Sequence, residues 1–155
     1  MLNPNTLLVD SLLPALRSIP ELVALLDDDP ERIEAFVQSY PLNCDLELAI
    51  RKMRTPSILL AHSATTIANS RDGINHQFSA YLRPQGEAAP LFVAMREGVP
   101  TAIAGGQKFK FCRVHPNCHE AFLTGFFPRI IPIDERTGFT YHEIPIILTE
   151  RTPDN

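Results

Sequence analysis

Four residues that can bind a metal ion stand close together in the last third of the sequence: Cys112, His115, Cys118 and His119. Thiolates and imidazoles can hold zinc tetrahedrally. Common zinc sites, however, take their ligands as two separated pairs that two turns of the chain bring together. Because these four residues form a single run, and because Cys44 lies far away, the spacing favours a strand followed by a Pro-Asn turn. A small zinc- or ligand-binding module built on this cluster is the alternative.

A nucleophilic cysteine is the second kind of chemistry that these residue types permit. Cys112 or Cys118 would need a histidine beside the thiolate and a third group to orient that histidine. The sequence contains five histidines but no spacing that selects one of them. We therefore predict no catalytic residue, cofactor or metal. His62 and His76, at the ends of two neighbouring predicted strands, are interpreted as structural histidines.

Three further patterns resemble binding motifs without meeting their requirements. The three aspartates at residues 27–29 lack the alternating oxygen ligands and the distant glutamate of an EF-hand, so they favour a helix N-terminus. Gly105 and Gly106 precede a strand-like segment rather than the Gly-Lys-Ser/Thr sequence of a phosphate loop. Lys108 and Lys110 alternate with phenylalanines, which indicates the solvent-facing side of a strand.

The composition indicates one intracellular globular domain. Of 155 residues, 45% are hydrophobic and 21% are charged, and the formal net charge is -4. This charge argues against a protein that grips DNA through its phosphates, although DNA could still slide past its surface. An odd number of cysteines, three, favours a reducing compartment. We expect neither a secretory signal nor a membrane span.

Apolar periodicity predicts that the first third of the chain is helical. Residues 5–18 carry a broad apolar stripe, with a kink expected at Pro14. Residues 30–40 carry apolar side chains at helical spacing, and Asp29 precedes them as a cap. Residues 45–53 predict a third helix. The 14 prolines of the chain predict short elements joined by stiff corners.

The middle of the chain predicts a hairpin followed by a short helix. Residues 57–62 form an apolar run and residues 75–83 alternate, so both are predicted strands. The polar segment 65–74 is predicted to be a long loop between them. Residues 90–97 predict a short helix that ends at Gly98.

The last third predicts three more strands, at residues 107–113, 129–133 and 139–149. Pro132 and Pro145 fall inside the last two, so at least one of these strands should be an edge strand or carry a bulge. Helices followed by strands predict an α+β fold, in which a mostly antiparallel sheet has its helices packed on one face. No domain boundary is evident, so residues 1–155 are predicted to form a single domain.

The order of these elements resembles that of the tail-terminator proteins, also called tail-completion or neck proteins, of long-tailed bacteriophages. The matching segments are residues 5–13, 53–62, 76–83, 91–100 and 141–149. They cover most of the chain and match as a pattern of elements rather than as a diagnostic motif. A stopper or a head-completion protein, which are sister components of the head-tail joint, is the alternative within this group.

The resemblance implies a structural virion subunit rather than an enzyme. Copies of the chain would form a homo-oligomeric ring, commonly a hexamer, on the last ring of the tail tube protein. The ring would end tube polymerisation and offer a docking surface to the head-side connector or stopper protein. DNA would pass through its lumen without specific binding. The protein would reside in the host cytoplasm during assembly and then in the tail or neck of the virion, with no membrane partner.

If the chain forms such a ring, two loop regions and the neighbouring strand are the expected contacts with other copies or with the tube. The candidate contact residues are Ile67, Asn69, Arg71, Asp72, Gly105, Gly106, Lys108 and Lys110.

Overall fold

A computed structural model describes residues 3–37, 46–67, 73–104, 120–122, 129–134 and 139–151 of the chain. These residues form a mixed β-sheet with helices on both of its faces. The helices are α1 (Pro4–Leu7), α2 (Leu13–Arg17), α3 (Pro20–Ala24), α4 (Leu46–Arg51) and α5 (Ala89–Ala104). The strands are β1 (Ile33–Phe36), β2 (Ser57–Ile67), β3 (Gly73–Arg83), β4 (Glu120–Phe122), β5 (Arg129–Asp134) and β6 (Phe139–Arg151).

The sheet has the order β1-β2-β3-β6-β4, and β5 also pairs with β6. β1 runs parallel to β2, and every other described pair is antiparallel. The predicted α+β class is therefore confirmed, with one parallel pair added to an otherwise antiparallel sheet.

The N-terminal helical segment is interrupted just before Pro14. A π-helical stretch, Leu8–Leu12, joins α1 to α2, and the Leu13 N–H donates to the Leu8 carbonyl. Because proline has no N–H and its ring crowds the preceding turn, a wider turn ahead of it relieves both problems. The irregularity expected at Pro14 thus takes the form of a π-helical stretch. At the other end, the Asn3 side chain caps α1 by accepting a hydrogen bond from the Asn5 N–H at 2.9 Å.

The helix predicted at residues 30–40 is wrong. Asp29 does cap a helical turn, but this turn is a single 3₁₀ turn, Pro30–Arg32, and β1 follows it. Ile33 and Ala35 pack on one face of the sheet and Phe36 on the other, so apolar side chains occur on both sides of the strand. A strand covered on both faces loses its period-two pattern and imitates helical spacing. The Arg17 guanidinium holds the strand in place through two hydrogen bonds to the Ile33 carbonyl, at 2.8 and 3.0 Å.

The predicted hairpin is confirmed, but the loop predicted at residues 65–74 is too long. β2 continues to Ile67 and β3 begins at Gly73, with Ile67 opposite Ile74. A shift in register between His62 and Ala64 marks a bulge in β2. The β-branched threonines beyond the bulge favour a strand despite their polarity, which explains why the ladder extends into the polar segment.

Two apolar clusters cover the two faces of the sheet. The larger cluster joins the N-terminal helical segments and α5 to the face that contains Leu60, Phe78 and Ile146. The smaller cluster joins α4 to the opposite face through Leu59 and Tyr81. The helices therefore do not all lie on one face as the sequence suggested. α4 lies on the other face because Leu59, Ala61 and Tyr81 form an apolar surface there.

The helix predicted at residues 90–97 is longer than expected, because α5 passes through Gly98 and ends at Ala104. Gly98 is therefore not a stop signal. A methyl group built on Gly98 would lie 2.5 Å from Cγ2 of the buried Ile19. The glycine instead allows α3 and α5 to approach each other closely. None of the helices in the described ranges has both the length and the apolar character of a membrane span.

The two prolines of the C-terminal strands lie where the ladder tolerates them. The register of β5 shifts between Pro132 and Asp134, which is the bulge that the sequence predicted. Pro145 lies in β6 between residues 139–143, which pair with β5, and residues 147–149, which pair with β4. On the other side of β6, Pro145 lies opposite Ser79 of β3. The helix predicted at 45–53 is confirmed as α4, whereas the strand predicted at 107–113 lies outside the described residues.

Replacing Gly98 with alanine tests the close approach of α3 and α5. Overpacking a well-filled contact typically costs about 1–3 kcal/mol, and the gain in helix propensity offsets about 1 kcal/mol of this. We expect Gly98→Ala to lower the free energy of unfolding, measured by urea denaturation. In an Ile19→Ala background, which removes Cγ2, the same change should become neutral or stabilising. Ile19→Val retains Cγ2 and is the matched control. An equal effect of Gly98→Ala on the free energy of unfolding in the unchanged, Ile19→Ala and Ile19→Val backgrounds would contradict the contact.

Candidate functional site

Most of the residues predicted to make assembly contacts lie outside the described residues. Ile67 is the exception: it ends β2, and its Cα partner in β3 is Ile74. The other candidate contact residues lie outside the described ranges: Asn69, Arg71, Asp72, Gly105, Gly106, Lys108 and Lys110. Their predicted role in assembly therefore stays a prediction.

The cysteine and histidine cluster also lies outside the described residues. Its members are Cys112, His115, Cys118 and His119. Over the part of the chain that is described, no group of three or more His, Cys, Asp or Glu side chains could hold a metal ion. The aspartates at residues 27–29 have another role there. The Asp29 side chain caps the 3₁₀ turn, and the Asp27 carboxylate lies 3.5 Å from the Arg32 guanidinium.

His62 and His76 are linked by a threonine on the main helical face of the sheet. The hydroxyl Oγ1 of Thr65 lies 2.7 Å from Nε2 of His62 and 3.1 Å from Nδ1 of His76. His76 is fully buried, and the half-buried His62 packs edge-on against Phe78, with ring centroids 5.6 Å apart. The bulge in β2 after His62 brings Thr65 to the same face as both rings. Both histidines are therefore hydrogen-bonded, and their structural role stays a prediction.

Burial favours the neutral form of two histidines by lowering their pKa values. The pKa of His62 lies below its usual value, chiefly because burial disfavours the charged ring; the charge of His76 lowers it further, while a hydrogen bond with the Ala64 backbone opposes the shift. Burial also lowers the pKa of His142, whose ring packs edge-on against Phe92 at 5.5 Å. Neutral, packed imidazoles suit a structural role.

A second polar pair, which no sequence pattern indicated, lies on the opposite face of the sheet. The Ser79 hydroxyl donates to Oε1 of Glu143 at 2.7 Å, and both residues are buried. Ser79 lies in β3 and Glu143 in β6, 64 residues later. A hydroxyl donor offsets part of the cost of burying a carboxylate. Only the pairing of these two strands brings the residues together.

The outer surface of α3 and α5 is concave and carries exposed apolar side chains. Two adjoining hollows of about 470 and 620 Å³ lie along these helices and share Glu21, Ala94 and Glu97 as lining residues. We call their combined surface the acidic groove. Leu25 and Val93 line its outer part and are 39% and 42% exposed. Exposed apolar surface with a polar rim is a feature of protein-binding sites.

A smaller surface of opposite charge lies around α4. A hollow of about 350 Å³ between α4 and β1 is lined by Lys52 and Arg54, and the exposed Leu48 lies one helical turn before Lys52. We call Leu48, Lys52 and Arg54 the α4 patch. The Arg54 guanidinium lies 3.6 Å from the Glu34 carboxylate, and both side chains are largely exposed. Because α4 packs on the opposite side of the sheet from α3 and α5, the α4 patch and the acidic groove face different directions.

Comparisons with known proteins add no identity: no protein-family model matches the sequence, and no curated protein matches it. The geometry of the two surfaces is therefore the basis for a functional proposal. Sequence reasoning missed both surfaces. The acidic groove combines residues of α3 with residues in and just before α5, which are distant in the chain.

Replacing Thr65 with valine tests the link between the two histidines. The substitution removes the hydroxyl that contacts both rings while it preserves the shape of the side chain. We expect the free energy of unfolding to fall by about 1 kcal/mol, the usual contribution of such hydrogen bonds. Thr65→Ser keeps the hydroxyl and should lose less. Equal losses for the two variants in chemical denaturation would show that packing, not the hydroxyl, is what matters.

The lowered pKa values of His62 and His142 predict how stability depends on pH. Their free energy contribution is fully present above about pH 6.5, the usual pKa of histidine. As the pH falls through that value, the unfolded chain binds protons first, so the free energy of unfolding should decrease until the lower folded pKa is passed. His62→Gln and His142→Gln should each flatten this decrease between about pH 7 and pH 5.5, above the usual range of carboxylates. A free energy of unfolding that rises as the pH falls through this range would contradict the prediction.

Proposed function

We propose that this chain is a structural virion subunit that forms a ring, most simply a hexamer, at the head-proximal end of a phage tail tube. The ring ends polymerisation of the tube protein and gives the head connector a surface on which to dock. Its function is binding rather than catalysis. DNA passes through the lumen of the ring.

The acidic groove is the observation that carries this proposal. Five large apolar side chains are exposed among the described residues, and two of them, Leu25 and Val93, line the groove. Protein surfaces that combine exposed apolar residues with a charged border are common at contacts between subunits. A subunit that binds copies of itself, the tube protein and the connector needs surfaces of this kind.

The arrangement of elements also supports the proposal. The segments that resemble tail-terminator proteins fall in separate elements: the α1–α2 segment, the start of β2, and then β3, α5 and β6. These elements surround the larger apolar cluster. The resemblance therefore concerns the parts of the chain that build the core, which is where a shared fold would be expected to leave its pattern.

In the described part of the chain, two sets of buried or half-buried polar residues are hydrogen-bonded among themselves. Ser79 donates to Glu143, and His62 and His76 share the Thr65 hydroxyl. Groups that act in catalysis usually face a cleft that a substrate can enter. These pairs instead lie on the covered faces of the sheet, which supports a structural role for them.

Electron microscopy and a tube-length assay test the proposed function directly. Purified protein should form rings with a central hole, alone or on the ends of tubes assembled from the tube protein of the same virus. Adding it during tube assembly should shorten the tubes in proportion to its concentration, because each ring blocks further growth. Tubes of unchanged length with rings bound to a head connector would indicate a stopper or head-completion protein. Unchanged tubes without rings or connector binding would contradict the proposal.

A matched pair of valine substitutions tests the role of the acidic groove. Val93 lies in the groove and Val9 lies outside its lining. The two side chains are nearly equally exposed, at 42% and 39%, so they form a matched pair. Val93→Asp places a further carboxylate among carboxylates in a contact surface. We expect it to weaken tube capping or ring formation at least about tenfold, equivalent to about 1.4 kcal/mol. Val9→Asp should leave both unchanged, and equal behaviour of the two variants would exclude the groove as a contact.

A further inference from the structure

The charges of the acidic groove and the α4 patch are complementary. Glu21, Glu87 and Glu97 are the charged residues among the described lining of the groove. Of these, Glu21 and Glu87 have no salt-bridge partner in the described part of the chain. Lys52 in the α4 patch likewise has none within the same ranges. Charges that are not paired within the subunit are available to pair across a contact.

The apolar parts of the two surfaces are complementary as well. Leu48 is 48% exposed on α4 and has Lys52 four positions later, one helical turn away, whereas the neighbouring Arg51 is paired with Glu47 at 3.0 Å. The groove offers the exposed Leu25 and Val93 with carboxylates beside them. An apolar anchor with a basic border on one surface thus matches an apolar floor with an acidic border on the other. Helices commonly dock into apolar grooves through such anchors.

We propose that copies of this chain associate head to tail, with the α4 patch of one copy seated in the acidic groove of the next. The second copy is favoured over another basic protein because the chain itself carries a surface with the required charge and an apolar anchor. This inference rests on the proposed function and deepens it, since it names the contact from which the ring is built.

The position of the two surfaces determines what kind of assembly this contact produces. The groove lies on the side of the sheet covered by α3 and α5, and the α4 patch lies on the other side. A contact between two different surfaces leaves one of each free in every dimer, so association continues until it closes. It therefore builds a ring or an open filament, whereas a contact between identical surfaces would stop at a dimer.

Charge reversal with rescue tests the contact. The acid-side variant is Glu21→Lys with Glu87→Lys, and the base-side variant is Lys52→Glu with Arg54→Glu. Each should weaken self-association of the full chain at least about tenfold, because like charges then face each other across the contact. A chain that carries all four substitutions, and an equimolar mixture of the two variants, should regain association, because opposite charges meet again. Sedimentation velocity over a thousandfold concentration range measures this, and circular dichroism verifies that every variant is folded.

A charge reversal outside both surfaces is the control. Asp10 is exposed on the π-helical stretch and lines none of the three hollows, so Asp10→Lys should associate like the unchanged chain. Unchanged association of both double variants would overturn the inference while rings and tube capping by the unchanged chain still supported the proposed function. Loss in both double variants without rescue would also overturn it, because the two surfaces would then meet different partners. A chain that stays monomeric throughout the range, with and without tube ends, would overturn both proposals.

Discussion

Burial of one face of the sheet beneath the N-terminal helical segments and α5 is the constraint on which the rest of this structure depends. Leu60, Phe78 and Ile146 lie on that face in three neighbouring strands and are fully buried. Burying each such side chain contributes about 1.5–3 kcal/mol. A slip of one residue in either ladder would move the whole apolar set to the opposite face, so this burial also fixes the register.

The acidic groove is a consequence of how the helices cover that face. α3 and α5 meet where Ile19 contacts Gly98, and both residues also line the inner hollow of the groove. The spacing of the two helices therefore sets the shape of the groove. The α4 patch has a separate origin, since α4 is held by Leu59 and Tyr81 on the other side of the same strands. The sheet thus fixes the angle between the two surfaces, which is the quantity that decides whether head-to-tail copies close into a ring.

Local patterns in the sequence predicted the elements that depend on local chemistry. The β2–β3 hairpin, α4 and the bulge near Pro132 follow from alternation, helical spacing and the missing N–H of proline. The segment 33–36 was misread because a strand covered on both faces has no polar side. Gly98 was misread because its role depends on Ile19, a tertiary neighbour that the local pattern does not reveal.

The candidate contact surfaces were less accessible to sequence reasoning for the same physical reason. Glu21 and Glu87 line one hollow although 65 intervening residues separate them, and Ser79 and Glu143 pair across β3 and β6. Sequence reasoning assigns contact residues to polar loops because loops often carry function. Exposed apolar side chains on helices are a weaker signal in the sequence, because helical periodicity predicts which side chains are buried but not which exposed ones share a surface.

The polar groups of the described residues are divided between the interior and the surface, and this division is compatible with the proposed binding function. Inside, Thr65 bridges two histidines and Ser79 donates to Glu143, so these groups stabilise one arrangement of strands. Outside, Glu21 and Lys52 lie on different sides of the sheet beside exposed apolar residues. A rigid sheet that holds complementary surfaces at a fixed angle can specify an assembly without any reacting group. In the proposed ring, the number of subunits would depend on the packing of α3, α4 and α5 against the strands, which is a property of the core.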